Sequence, residues 1–179
     1  MTAPLHHHCT TTIPFSFHSP LSFQNTRNTL AIGDLHPFGI EHAIKFVEEE
    51  MLKFGFTVQQ VQYDVAYAPN IISCMPGTET PDEIVVMGAH LDDIPNIGRA
   101  PGANDDGSGS ASLLAAAAAI HSLGATFGKT LCLEHYTGEE QGLRGSRAMA
   151  ELRAKRGDVS AITAQRDASS QRVAESRTI

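Results

Sequence analysis

The chain has 179 residues, 41% of them hydrophobic, which suffices for one domain of ordinary size and hardly for two. Its formal charge of −7, with 13 Lys and Arg scattered along it, excludes the clustered basic face that neutralises phosphates in nucleic-acid binders. No run reaches the ~18–20 apolar residues of a membrane span, and no basic region followed by an apolar core marks a secretory signal at the N-terminus.

In chain order, residues 1–36, with "HHHCTTTIPFSFHSP", show neither helical nor strand periodicity, so an irregular segment is expected there. Without acidic partners around them, His6, His7 and His8 read as surface or tag-like. From residue 37 the pattern becomes regular. "FGIEHAIKFVEEEMLKFGF" spaces Ile40, Ile44, Val47, Met51 and Leu52 for a helix, with Gly55 where it would stop. The near-alternation of Val58, Val61, Tyr63, Val65 and Tyr67 predicts a strand, and "PNIISCMPG" and "EIVVMGA" predict two more. A small-residue helix then opens at "GSGSASLL" and runs to Gly124, followed by the strand "KTLCLEHY" and a helix from "EQGLRGSRAMAELRA". This β-α-β-α succession favours a parallel unit within an α/β sandwich. Residues 155–179 are thin in large apolar side chains and offer only "VSAIT" as a weak strand, so residues 37–179 read as one incomplete domain with an atypical end. Cys9, Cys74 and Cys132 lie far apart without CxxC spacing, which argues against a disulfide framework or a cysteine-based zinc site; Cys132 is expected in the core. His121 and His135 read as structural.

The polar residues that interrupt this pattern fall in one kind of place. "VVMGAHLDD" puts His90 and Asp92 just past one strand, and "LEHYTGEEQG" puts Glu139 and Glu140 just past the next. Ligand sites of open α/β sheets gather outside the carboxyl ends of their strands, and the bend "APGANDDGSGS" brings Asp105 and Asp106 back to that edge. Carboxylates crowded within a few ångströms need a cation to stay ionised together, so the bend points to a metal.

Taken in order, "GAHLDD", "APGANDDGSG" and "YTGEEQGLRGS" resemble the di-zinc aminopeptidases of the leucyl aminopeptidase and aminopeptidase Y type. The resemblance implies a three-layer α/β sandwich around a mixed, largely parallel sheet, and two zinc ions per complete domain. It further implies that His90 binds zinc while Asp92 orients its imidazole, and that Asp105 bridges the metals ahead of a cis Asp105–Asp106 peptide. Glu139 becomes the general base and Glu140 a ligand. The substrates implied are peptides with a free N-terminus, and the location secreted or vacuolar. This chain departs from the family pattern at its end. Asp167 is the candidate for a further aspartate ligand, and no histidine follows His135, so at most one zinc and poor activity are expected of a chain truncated within the domain. Two other functions compete: a non-catalytic remnant or metal-binding interaction domain of the same fold, and a one-zinc relative of glutaminyl cyclases.

Overall fold

The computed structural model describes residues 38–94, 102–157, 162–167 and 173–174, the last two segments as backbone strands. The segment 1–36, with Cys9 and the His6–His8 triple, lies outside the described residues. Helix α1 spans Phe38–Lys53 and buries Ile40, Ala43, Ile44, Val47 and Met51 on one stripe. Leu52 falls off that stripe and is 55% exposed, against expectation. Gly55, at φ +84°, turns the chain out of the helix.

Strands β1 (Thr57–Val61), β2 (Asn70–Met75), β3 (Thr80–His90) and β4 (Lys129–Tyr136) follow, then β5 (Ile162–Asp167) and β6 (Val173–Ala174). The sheet order is β1-β2-β4-β3-β5-β6. Its centre, β4-β3-β5, is parallel, and antiparallel pairs β1-β2, β2-β4 and β5-β6 extend it on either side. Helix α2 (Gly107–Leu123) makes the crossover from β3 to β4, and α3 (Arg144–Arg156) follows β4.

The alternation of β4 shows how the layers form. Leu131 and Leu133 join Ile44, Val47 and Met51 of α1 and Leu113 and Ala117 of α2 in one apolar core. The intervening Glu134 points to the opposite face, where Arg153 of α3 donates to its carboxylate. Two helices therefore cover one face and α3 the other, giving the three-layer α/β sandwich.

Three local expectations are corrected. The strand predicted through Tyr67 ends at Val61, because Asp64 folds the chain into a turn: its carboxylate accepts the Ala66 N–H at 2.9 Å and its carbonyl the Tyr67 N–H at 3.1 Å. Val65 is left 93% exposed. The last predicted strand lies three residues later than "VSAIT", at Ile162–Asp167. Cys74 and Cys132 form a disulfide, where no disulfide framework was expected. Antiparallel pairing of β2 with β4 sets them directly opposite one another with Cα atoms 4.1 Å apart, the close spacing of a non-hydrogen-bonded pair, and no sequence spacing reports that register. Cys132 is buried, as expected.

Candidate metal centre

Parallel pairing of β3 with β4 sets His90 opposite Tyr136 at the carboxyl ends of both strands. The turn carrying Glu139 and Glu140 therefore emerges beside His90. The Asp105–Asp106 bend reaches the same edge, and the peptide between the two aspartates is cis. The two side chains take different tasks. Asp106, fully buried, caps α2 by accepting the Gly109 N–H at 2.9 Å and also accepts the His90 N–H at 3.0 Å, joining the helix start to the strand end. Ser110 adds a second tie by donating to the His90 carbonyl at 2.9 Å. Asp105 stays 76% exposed, with its Oδ1 2.9 Å from His90 Nε2.

The His90 ring is held in one orientation. Its Nδ1 lies 3.0 Å from the Asp92 carbonyl oxygen, which can only accept, so Nδ1 carries the proton and Nε2 faces the carboxylates. Glu139 Oε2 stands 3.9 Å from the same Nε2. The orienting group is thus the Asp92 backbone and not, as expected, its carboxylate, whose Oδ1 is 3.8 Å from Nδ1. That carboxylate is buried and instead accepts the backbone N–H groups of Glu139 and Glu140, each at 3.3 Å.

The titration shifts record the crowding. Burial pulls the His90 imidazole down, but the charges of Asp92, Asp106 and Glu139 and the contact with Asp105 outweigh it and leave the pKa raised. Burial raises the Asp92 carboxyl, opposed by the N–H groups it accepts. Glu140 is raised by burial first and then by the charge of Asp105. Two carboxyl groups and an imidazole whose proton affinities are raised together by burial and mutual charge form the donor set whose charge a divalent cation would offset.

Among the described residues no three His, Cys, Asp or Glu side chains converge tightly enough to enclose a metal as placed. His90 and Asp105 instead contact each other directly, while the Asp105 charge raises the Glu140 carboxyl pKa and the His90 charge, a smaller effect, lowers it. Asp167 is the last residue of β5, in register with Gly88 of β3, so the backbone brings it to the same edge of the sheet. Sequence reasoning missed Asn70, Thr137 and Tyr63, which brace the glutamate turn. A single polar residue opening the apolar strand "NIISCM" was the one available sign.

The model of "Peptidase family M28" matches residues 70–169, more than half of the chain and the whole of this centre. The chain belongs to peptidase family M28. A leucine aminopeptidase 1 of Arthroderma gypseum is 39% identical over 105 residues, covering 54% of this chain and 27% of that protein. The LapA aminopeptidase of Legionella pneumophila superposes with a TM-score of 0.66 at 27% identity, over 83% of this chain and 38% of its own. A glutaminyl cyclase of an Acidobacteriales bacterium shares the fold, with a TM-score of 0.60 at 22% identity, 79% of this chain and 52% of that one. The M28 chain described here thus spans about a quarter of the length of the curated relatives it matches. Among its described residues no helix is long and apolar enough to cross a membrane.

Proposed function

We propose that this chain carries the metal-binding edge of a zinc-dependent aminopeptidase that releases N-terminal residues from peptides. One observation carries the proposal: His90, its ring fixed by the Asp92 carbonyl, turns Nε2 toward Asp105 at 2.9 Å and Glu139 at 3.9 Å. His90, Asp105, Glu140 and Asp167 are the zinc ligands this chain supplies. A bound zinc acidifies water and polarises the scissile carbonyl. Glu139, whose backbone is fixed by Asp92 while its side chain stays partly exposed, takes a proton from water and delivers it to the leaving amine. Asp92 therefore acts through the turn as well as through the histidine. Acidic side chains along this edge favour the ammonium of a free N-terminus, and hence peptides cut from that end. The Cys74–Cys132 disulfide supports an oxidising compartment, secreted or vacuolar.

The test uses the 179-residue chain. Native mass spectrometry should count one zinc, lost in His90→Ala and retained in Glu139→Ala. Hydrolysis of leucyl-nitroanilide should be weak, sensitive to chelator, and lowered ~10²- to 10⁴-fold by Glu139→Ala. Zinc binding with turnover no greater than that of Glu139→Ala would instead favour a metal-binding interaction domain. Failure to bind zinc would overturn both.

A further inference from the structure

We infer that Asn70 is a positioning residue for the Glu139–Glu140 turn, joining the two ends of the loop that presents these carboxylates; this rests on the metal-site reading above. Asn70 is fully buried at the start of β2. Its Oδ1 accepts the Thr137 N–H at 2.9 Å and its Nδ2 donates to the Gly145 carbonyl at 2.9 Å. Thr137 and Gly145 are the two ends of the loop, tied to each other by the Gly145 N–H donating to the Thr137 carbonyl at 3.0 Å. The same carbonyl accepts the Tyr63 hydroxyl at 3.0 Å, and Thr137 Oγ1 donates to the Ala68 carbonyl at 2.5 Å.

Within this closed base the loop folds on Glu139 itself. Its carbonyl accepts the N–H groups of Gly142 at 2.8 Å and Leu143 at 2.9 Å. From the other side, the Asp92 carboxylate receives the N–H groups of Glu139 and Glu140. The glutamates are thus held between Asp92, beside the metal centre, and Asn70, remote from it.

The chemistry demands an amide. One atom must accept and the other must donate, so an aspartate would set an oxygen against the Gly145 carbonyl without water to separate them. Gly145 is equally constrained, since a Cβ there would overlap both Asn70 Oδ1 and the Thr137 carbonyl. The Cys74–Cys132 bond, four residues along β2, fixes that strand against β4 and with it the place of Asn70.

The test is a thermodynamic cycle on the full chain, with zinc alone as ligand and affinity measured by competition against a chromophoric chelator. Asn70→Asp should weaken zinc ~10- to 100-fold, the range for groups that orient ligands. Glu140→Ala should weaken zinc in the parent and add little on the Asn70→Asp background. Hydrogen exchange in chelator should quicken at the Gly142 and Leu143 amides while those of α2 keep their protection, which a general loss of stability would not produce. Where Asn70→Asp does not fold, Tyr63→Phe, which removes one donor from the Thr137 carbonyl at partial burial, replaces it in the same cycle with a smaller effect. A parent chain that takes up no zinc would sink the metal reading itself. Zinc affinity and a Glu140 contribution that are unchanged by the substitution would overturn only the role of Asn70. So would a parent affinity indifferent to Glu140, because nothing would then remain for the loop to position.

Discussion

His135 is a buried histidine outside the candidate metal centre, and it sets an acid limit on the stability of the fold. It lies in β4 between Ile71 of β2 and Ala89 of β3, has no exposed surface, and neither ring nitrogen meets a partner in good hydrogen-bond geometry among the described residues, the Ser110 backbone being the nearest polar influence. Burial lowers its pKa from 6.5 to about 4, opposed only in part by the backbone of Ser110. The sign follows from proton counting. Below pH 6.5 the unfolded chain takes up a proton that the folded chain refuses, so stability falls with pH until about pH 4, where the folded ring also protonates. Above pH 6.5 both states are neutral at this residue and the effect vanishes.

The gap between 6.5 and about 4, at roughly 1.4 kcal/mol per pH unit, amounts to ~3 kcal/mol. His135→Leu removes it with a side chain of similar volume and leaves no unpaired nitrogen. Because the chain has no tryptophan, urea unfolding is best followed by far-ultraviolet circular dichroism, from pH 7.5 to pH 4 in chelator. Other carboxyl groups titrate in both proteins, so the informative quantity is the difference between them. It should be small at pH 7.5, at most the ~1–3 kcal/mol in favour of the variant that unsatisfied polar atoms cost, and should grow by ~3 kcal/mol toward pH 4. A difference that stays flat across this range would show that His135 titrates normally and refute the reasoning.

Arg153→Ala should destabilise the fold by ~3–5 kcal/mol, because among the described residues it leaves the buried Glu134 carboxylate with only the Tyr136 hydroxyl, at 2.8 Å, as partner. Replacing Glu134 and Arg153 together by Leu and Met should restore most of that loss, and urea unfolding of the two variants checks both statements. Exchanging Cys74 and Cys132 for Ala should cost roughly 4 kcal/mol on the loop-entropy estimate for their separation of 58 residues; non-reducing peptide mapping that finds both thiols free in the parent would remove its basis. Asp92→Ala should lose ~10- to 100-fold in zinc affinity by freeing the glutamate turn, and Asp92→Asn somewhat less, since its oxygen still accepts one of the two turn N–H groups while its amide nitrogen opposes the other; a zinc titration unchanged in Asp92→Ala would remove the turn's dependence on this carboxylate.

The convergence of these polar residues on one edge of the sheet could be read from the sequence because it follows from local facts. Polar residues placed directly after apolar strand runs must sit at strand ends, and a short helical crossover between two such runs makes those ends parallel and adjacent. His90, Glu139, Glu140 and the Asp105 bend needed nothing more. What could not be read depends on pairings between distant segments. The β2–β4 register, which joins Cys74 to Cys132 and brings Asn70 to Thr137, is antiparallel and spans more than fifty residues, and no periodicity in either strand encodes it. The charge in "KTLCLEHY" was visible, yet Arg153, which makes Glu134 tolerable in a buried strand, follows on a helix whose packing face only the assembled sheet defines.

The same distinction separates two kinds of residue in the centre. Those that would meet zinc are presented by strand ends and could be named one at a time. Those that hold them in place, namely Asp106 on the His90 N–H, the Asp92 carbonyl on its ring, and Asp92 with Asn70 on the glutamate turn, work by hydrogen bonds to backbone groups. Backbone groups are identical at every position, so such partners leave no trace in residue type beyond a buried polar side chain where an apolar one would pack. Asn70 in "NIISCM" and Ser110 in the alanine-rich helix are of this kind. A polar residue in an otherwise apolar buried run, in a chain of this fold, is therefore better tested as a brace for a nearby ligand loop than as a ligand. Substitutions that preserve its volume and reverse one of its hydrogen bonds are the sharpest probe.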